Sequence, residues 1–495
     1  MNFHKRVLAV PSVLLALLAM TATFGSGACG SSDSSGDAKD AGPDGLLWNA
    51  PGSIVSMTPA NGDDNVSVHA PIQVTFSDPV QLGASPATLA GPGAAAIATT
   101  VKLSDDKKTI TITPVSDLAA PTTLTLTLGD ITTLLGAGVE KRPWSWTVPL
   151  WLRVGETLQP KYAGDDATGD PTWGIPAVAA GPNERVSVAS FDGRMRVKTV
   201  DSYLGKWSAL GGPLNDGRNP LLPSLLVDKG GALIAAFVDG ENGHIARWNG
   251  TEWSLLADLG NLGTAFDPVF HHPTMAMDAT GKLYVAYVAR ITDDSVGVYV
   301  KSFANGTWSV PELVDQGTSE SYVEIALSTS GVPYVSYRNG TNVYVSLRSA
   351  EKAWAKVGGA VNPPNETAGG VKPVVAIDEV NRPVVLGCFN GRQFRRWDGL
   401  NWQTVGPLMP GSCDATKTYL KKIQGNHLIG FWTVPDAPRA TINLADVTDT
   451  TWVPVDNPQG NTTDAFASSL AVDANDIPVI AWIEDTSLHI GRLNR

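Results

Sequence analysis

Tryptophan returns along this chain as Trp151, Trp207, Trp253, Trp308, Trp354, Trp402 and Trp452, at intervals of 56, 46, 55, 46, 48 and 50 residues. A spacing that regular means that one unit of about 50 residues is being repeated. Three copies lead into the tryptophan in the same way: Trp248-Asn249-Gly250-Thr251-Glu252-Trp253, Phe303-Ala304-Asn305-Gly306-Thr307-Trp308 and Trp397-Asp398-Gly399-Leu400-Asn401-Trp402. Asn-Gly or Asp-Gly between strand-like flanks predicts a tight hairpin whose two turn residues accept positive φ. Several copies also continue alike, as Trp207-Ser208-Ala209-Leu210-Gly211, Trp354-Ala355-Lys356-Val357-Gly358 and Trp402-Gln403-Thr404-Val405-Gly406.

A second marker precedes most of these tryptophans. It reads Pro223-Ser224-Leu225-Leu226-Val227-Asp228, Pro273-Thr274-Met275-Ala276-Met277-Asp278 and Pro373-Val374-Val375-Ala376-Ile377-Asp378, with Ser468-Ser469-Leu470-Ala471-Val472-Asp473 as the last copy and Val323 to Ser328 degenerate. A turn and a second strand follow each. The unit is therefore four short antiparallel strands, and units of this length arranged radially make a β-propeller. Units begin near 176, 223, 273, 323, 373, 420 and 468, which predicts seven blades, with six and eight as alternatives. The last unit ends without a fourth strand, and Trp151-Leu152-Arg153-Val154-Gly155 is a fourth strand without a unit. Pairing the two closes the ring and covers an open edge. The propeller is assigned to 149–495.

Residues 1–28 read as an export leader: Lys5 and Arg6, an apolar core from Val7 to Met20, then mostly small residues. The apolar core is too short for a stable transmembrane helix. Ser26-Gly27-Ala28-Cys29 resembles a bacterial lipobox, which implies a lipid on Cys29; Ser26 departs from that pattern, where an aliphatic residue is usual. Residues 29–51 follow as a Ser-, Gly-, Asp- and Ala-rich tether. Gly30, where an Asp would resemble an inner-membrane retention signal, points to the outer membrane, with the protein periplasmic or surface-exposed. The chain carries a net charge of -12, which becomes -14 once Lys5 and Arg6 leave with the leader. So acidic a surface repels phosphate backbones and excludes nucleic acid as a partner. Contact with a membrane is expected only through the lipid, and the protein is expected to be a monomer.

Residues 52–148 lack the tryptophan repeat and alternate with period two, as in Ile72-Gln73-Val74-Thr75-Phe76, Thr109-Ile110-Thr111-Ile112-Thr113 and Thr123 to Leu128. About 100 residues of half-buried antiparallel strands suit an immunoglobulin-like sandwich, so the fold class is all-β throughout. Pro59-Ala60-Asn61-Gly62, Val66, Ile72 to Val80, Thr111-Ile112-Thr113-Pro114 and Trp144-Ser145-Trp146-Thr147 together resemble the SbsA-type bacterial Ig-like domain. That resemblance implies a stalk or spacer on an exported protein.

No nucleophile elbow, phosphate loop, His-Glu-x-x-His run or cysteine pair at metal spacing is present. Neighbours on a strand point to opposite faces, so His271-His272 reads as a solvated doublet. No cofactor is expected; Asp165-Asp166-Ala167-Thr168-Gly169-Asp170 could offer oxygens to calcium but lacks the alternating spacing of a calcium loop. The blade geometry puts the ends of the second strands on one face, with Asp192, Asp239, Asn339, Asn390 and Glu484 at or near their tips. Near these tips stand Tyr287, Tyr337, Trp432 and Trp482. Carboxylates and amides beside flat aromatic faces suit a glycan, although Asp-Gly and Asn-Gly also suit the turn itself, and alternating aromatics also suit blade packing. On the same face Cys388 and Cys413, in an exported chain, are expected to form a disulfide.

The propeller region resembles bacterial sialidase-like and lectin-like propellers in architecture. The sialidase Asp-box is not met: Ser302 to Trp308 comes closest, with Ala304 at the acidic position and one residue too few. Three readings stay open. The first is an anchored envelope protein that presents a binding propeller to a glycan or cell-surface protein without catalysis. The second is a glycoside hydrolase or lyase using acids such as Asp192, Asp239 or Glu484. The third is a purely structural envelope protein.

Overall fold

The computed structural model describes residues 52–159, 176–191, 194–214, 220–239, 242–262, 273–292, 295–317, 322–351, 353–368, 372–409, 413, 418–423, 427–434, 441–456, 458, 465–484 and 487–495. The leader, Cys29 and the tether lie outside the described residues, as do Asp165 to Asp170, Asp192 and His271-His272.

The first described region is a two-sheet sandwich. One sheet orders its strands Ile54–Thr58, Ile72–Phe76, Thr109–Pro114, Thr99–Leu103; the other orders Pro143–Val148, Thr122–Leu128, Ala87–Ala90, Ala96–Ile97. Alternation decides which side chains meet. Ile72, Val74, Phe76, Ile110, Ile112, Leu124, Leu126 and Leu128 point inward and close with Trp144 and Trp146 into one core, while the threonines between them face outward.

The second region is a propeller of seven blades. Strands 1 to 4 of blade I are Ala177–Ala180, Val186–Phe191, Met195–Val200 and Ser208–Ala209; those of blade II are Pro220–Val227, Leu233–Asp239, Asn242–Trp248 and Trp253–Asn261. Blade III has Thr274–Met277, Leu283–Thr292, Ser295–Ala304 and Thr307–Trp308, with Glu312–Gly317 also paired to its third strand. Blade IV has Val323–Leu327, Pro333–Asn339, Asn342–Arg348 and Trp354–Lys356. Blade V has Val374–Ile377, Pro383–Cys388, Arg392–Trp397 and Trp402–Met409, and blade VI has Thr418–Lys422, Leu428–Val434, Thr441–Val447 and Trp452–Val455. Blade VII takes Ala465–Val472, Pro478–Glu484 and Ser487–Leu493, and its fourth strand is Trp151–Arg153, with Trp151 opposite Leu493. The first strands pack on one another in chain order, and strand 1 of blade VII packs back on that of blade I.

The recurring tryptophan staples each blade to the one before it. The indole Nε1 of Trp207 donates to Glu156 O, Trp253 to Leu210 O, Trp308 to Leu256 O, Trp402 to Val357 O, Trp452 to Pro407 O and Trp151 to Asp456 O, at 2.7–3.2 Å. Trp354 instead donates to the Glu312 carboxylate at 3.1 Å, because blade III carries an extra outer strand where the carbonyl would stand. Seven bonds thus run round the ring, each contributing about 1 kcal/mol. The glycine four residues after the tryptophan belongs to the same device. Gly155, Gly211, Gly358 and Gly406 have φ of +64 to +70°, and a Cβ there would lie 2.4–2.7 Å from Trp207, Trp248, Trp397 or Trp452.

The Asp that ends the second marker caps the turn after strand 1. Asp228 Oδ1 accepts from the amides of Gly230 and Ala232, Asp278 from Thr280 and Lys282, Asp378 from Val380 and Arg382, and Asp473 from Asn475 and Ile477. In blade IV the Ser328 hydroxyl takes part of this role through Val332 N. The second oxygen of Asp228 holds Arg247, that of Asp378 holds Arg396 and that of Asp473 holds Arg492, all from third strands.

One hairpin expectation needs correction. Only Asn305-Gly306 is a two-residue turn with both φ positive, at 51° and 78°. Asn249-Gly250 and Asp398-Gly399 open four-residue loops instead. There the Asn249 or Asp398 side chain accepts the two amides that follow in the loop, so only the glycine needs positive φ.

The two regions are clasped at the chain end. Asn494 is buried; its Oδ1 accepts from Val68 N, and its Nδ2 donates to Val66 O and Pro149 O. Asn65 brackets Arg153 through both backbone groups, and Asp64 pairs with its guanidinium.

Candidate functional site

Antiparallel pairing puts the end of strand 2 beside the start of strand 1, nearest the axis. Phe237, Tyr287, Tyr337, Trp432 and Trp482 occupy one repeated level near that end. Four of them face an aromatic ring directly across on strand 3: Phe237–His244, Tyr287–Tyr299, Tyr337–Tyr344 and Trp482–His489, with centroids 5.4–6.0 Å apart.

This ladder packs blade against blade. Tyr337 is wholly buried, its hydroxyl on Ser346 Oγ at 3.0 Å, and burial raises its phenol well above the ordinary range. Burial likewise pushes Tyr287 up to about 12. Trp432 is 1% exposed and lies under the Arg392 guanidinium, 5.8 Å from the ring centroid. None of these three rings offers a face to a ligand.

The polar tips are scattered. Asn339 Nδ2 donates to Asp315 Oδ2 and Gln316 O, which ties strand 2 of blade IV to the outer strand of blade III. Asn390 holds a positive-φ turn position at 52°. Asp239 ends its strand half-buried. Cys388 and Cys413 are joined by a disulfide with a Cα–Cα distance of 5.8 Å, which ties the segment after blade V to strand 2 of that blade.

Two of the candidates do meet. Trp482 Nε1 donates to Glu484 Oε2 at 3.2 Å, and both line a pocket of about 250 Å³ with His489, Arg153, Glu156, Thr157 and Pro458. This rim pocket is lined by blade VII and its closing Trp151 strand, with Pro458 from the segment that follows blade VI. Among the described residues no group of three or more His, Cys, Asp or Glu could hold a metal ion.

A further group of buried polar side chains lies on the axis, at residues that reading the second strands did not single out. The inner strands enclose a cavity of about 280 Å³. At the second position of the marker on the inner strand the seven blades place Ala177, Ser224, Thr274, Glu324, Val374, Tyr419 and Ser469, all but Val374 on the cavity wall. Thr274, Glu324, Tyr419 and Ser469 pair with Ala286, Ser336, Phe431 and Ala481, each just before a rung of the aromatic ladder. The cavity is lined at the level of the aromatic ladder, one strand further in than the candidate residues read from the sequence. The signal was a charge where sibling strands carry small or apolar residues.

Glu324 Oε2 accepts from Lys372 Nζ at 2.6 Å, and Lys421 Nζ stands 3.5 Å from Oε1. Burial would raise the Glu324 carboxyl, but the two ammoniums outweigh it and hold it below the usual carboxylate range. Tyr419 bonds Ser469, and burial, then the Glu324 charge, raises its phenol. Such a set can bind and orient a polar ligand, and nothing about it requires a reaction.

Residues 49–148 match the family model of the bacterial Ig-like domain. The sandwich described above is this Ig-like domain. No curated protein matches the chain. Among solved structures, it is similar to a polysaccharide lyase described as an ulvan lyase, at 12% identity and a TM-score of 0.45, over 69% of this chain and 95% of that one. It is similar to the SapL1 lectin in complex with alpha methyl fucoside, at 13% identity and 0.40, over 58% and 97%. A Hadza microbial sialidase matches at 14% identity and 0.40, over 78% and 76%. Identities and scores this low carry no argument about activity.

Proposed function

We propose that this is an exported, lipid-anchored envelope protein whose Ig-like domain carries a propeller that binds a glycan without catalysis. The observation that supports this best is the rim pocket, where the Trp482–His489 stack and the Glu484 carboxylate border one cavity of about 250 Å³. An aromatic edge beside a carboxylate suits the apolar faces and hydroxyls of a sugar ring. Its place beside the Arg153 strand, which the Ig-like domain grips, fits a stalk that holds a binding head in one orientation.

A glycan array of the intact protein, run beside a reducing-sugar release assay, tests the reading. Binding that Glu484→Gln abolishes, with no sugar released, is expected. Release of sugar ends from a bound polysaccharide overturns the non-catalytic part. The anchor is tested separately: the Cys29→Ser protein should lose incorporated fatty acid and leave the membrane fraction.

A further inference from the structure

We propose that the axial cavity binds a small carboxylate-bearing polyol, of the size of a single sugar acid, with its carboxylate on Lys421 and a hydroxyl on Thr274. The inference does not rest on the rim pocket, which is a separate cavity with different walls.

The fold does not require these side chains. At the fourth position of the marker on the inner strand, the other six blades carry Ala179, Leu226, Ala276, Ala326, Ala376 and Ala471, and they pack into the ring as blade VI does. Blade VI alone puts a lysine there.

The charges are unbalanced as well. Among the described residues two ammoniums meet one carboxylate at this point, and they are not equally engaged. Lys372 holds Glu324 at 2.6 Å with its side chain 10% exposed, whereas Lys421 stands at 3.5 Å and is 37% exposed. A distance of 3.5 Å is long for a charge-assisted hydrogen bond, so Lys421 can turn to a second anion at little cost. The Lys421 ammonium, so placed beside Glu324, suits a monoanion and opposes a dianion.

The hydroxyl requirement comes from across the cavity. Thr274 is 4% exposed, lines the cavity, and its Oγ1 has no hydrogen-bond partner. Leaving a buried hydroxyl unpaired is unfavourable, and a ligand hydroxyl would satisfy it. Ser224 and Ser469 extend the polar wall, while Ala177, Ala179 and Ala471 keep the space open.

The test is calorimetric titration of the intact protein with D-galacturonate and with its neutral methyl ester. The acid should bind, and the ester at least roughly tenfold more weakly, the loss expected for one charge-assisted contact. Lys421→Gln should weaken the acid to about the level of the ester. Thr274→Val should weaken acid and ester alike by several-fold, and it serves as the deciding variant should Lys421→Gln fail to fold. Equal binding of acid and ester, no binding of either, or acid binding untouched by both substitutions overturns the proposal. Loss of acid binding in Glu484→Gln, with both axial variants unaffected, would move the site to the rim and equally overturn it.

Discussion

The Ig-like domain and the propeller are both antiparallel β, yet they bury different things. Among the described residues the sandwich buries a single polar side chain, Thr133, which accepts from Ala137 N. The propeller buries Glu324, Lys372, Asp378, Arg392, Arg395, Arg396, Asp473 and Arg492. The cause is geometric. A sandwich strand has one dry and one wet face, so alternation alone sorts its residues. A second strand in a blade is covered on both faces by neighbouring blades, and its residues are buried in succession, as in Pro383–Cys388 and in Pro478–Glu484 up to its last residue. Polar groups that cap turns and join blades must then be paired inside. The sandwich is held by area, and the propeller by area plus a network of specific bonds.

The sharpest way to break that contrast is Asp378→Ala. It removes a fully buried carboxylate that accepts from Arg382 Nε at 2.8 Å and stands 3.5 Å from Arg396, which is 4% exposed, together with the cap of the turn. A loss of about 3–5 kcal/mol is expected by denaturant titration, because a buried ion-pair cluster loses its central carboxylate and Arg396 keeps only the half-exposed Asp449 as a charged partner. A loss no larger than that from Thr133→Val would erase the distinction.

Next in size is Asn494→Ala, which leaves Val68 N, Val66 O and Pro149 O without their partner and should cost about 1–3 kcal/mol. Hydrogen exchange should then show the two regions opening independently. If they still protect together, the clasp lies elsewhere.

A smaller effect, about 1 kcal/mol, is expected for Trp207→Phe, which keeps the ring but deletes the bond to Glu156 O between blades I and VII. Faster exchange confined to those two blades is the signature. Uniform acceleration would count against a local staple.

The last effect is read with acid. Glu312, Asp315 and Glu324 all lie in the propeller. Burial would raise each carboxyl, but Arg348 acts on Glu312, Lys356 with Asn339 and Tyr337 on Asp315, and the two lysines on Glu324, and all three are held below their ordinary range. A folded-state value below the unfolded one means stability that is full above the ordinary 4.5 of a glutamate and is lost as pH falls through the folded value. Exchange protection of the propeller should therefore fall below about pH 4.5 while that of the sandwich holds. In the sandwich the depressed carboxyls, Asp64 and Asp106, are solvent-exposed and screened. Parallel loss in both regions would contradict the comparison.

How much was legible beforehand follows the same division. Periodicity and repetition are local, so the chain by itself determined the sandwich, the four-stranded unit and its recurrence, and the unpaired Trp151 strand. It could not say why the tryptophan recurs, because the acceptor of each indole lies 42 to 52 residues away within the chain, or 305 for Trp151. Nor could it separate a ligand-facing aromatic from a packed one: Tyr337 and Trp482 share a level, and only the neighbouring blade decides that one is sealed and the other borders a pocket. Glu324, Lys372 and Lys421 stand on three different blades, and they form one cluster only because seven inner strands converge on an axis. Strand pattern is written in residues two apart, whereas a site is written in residues that closure of the ring brings together.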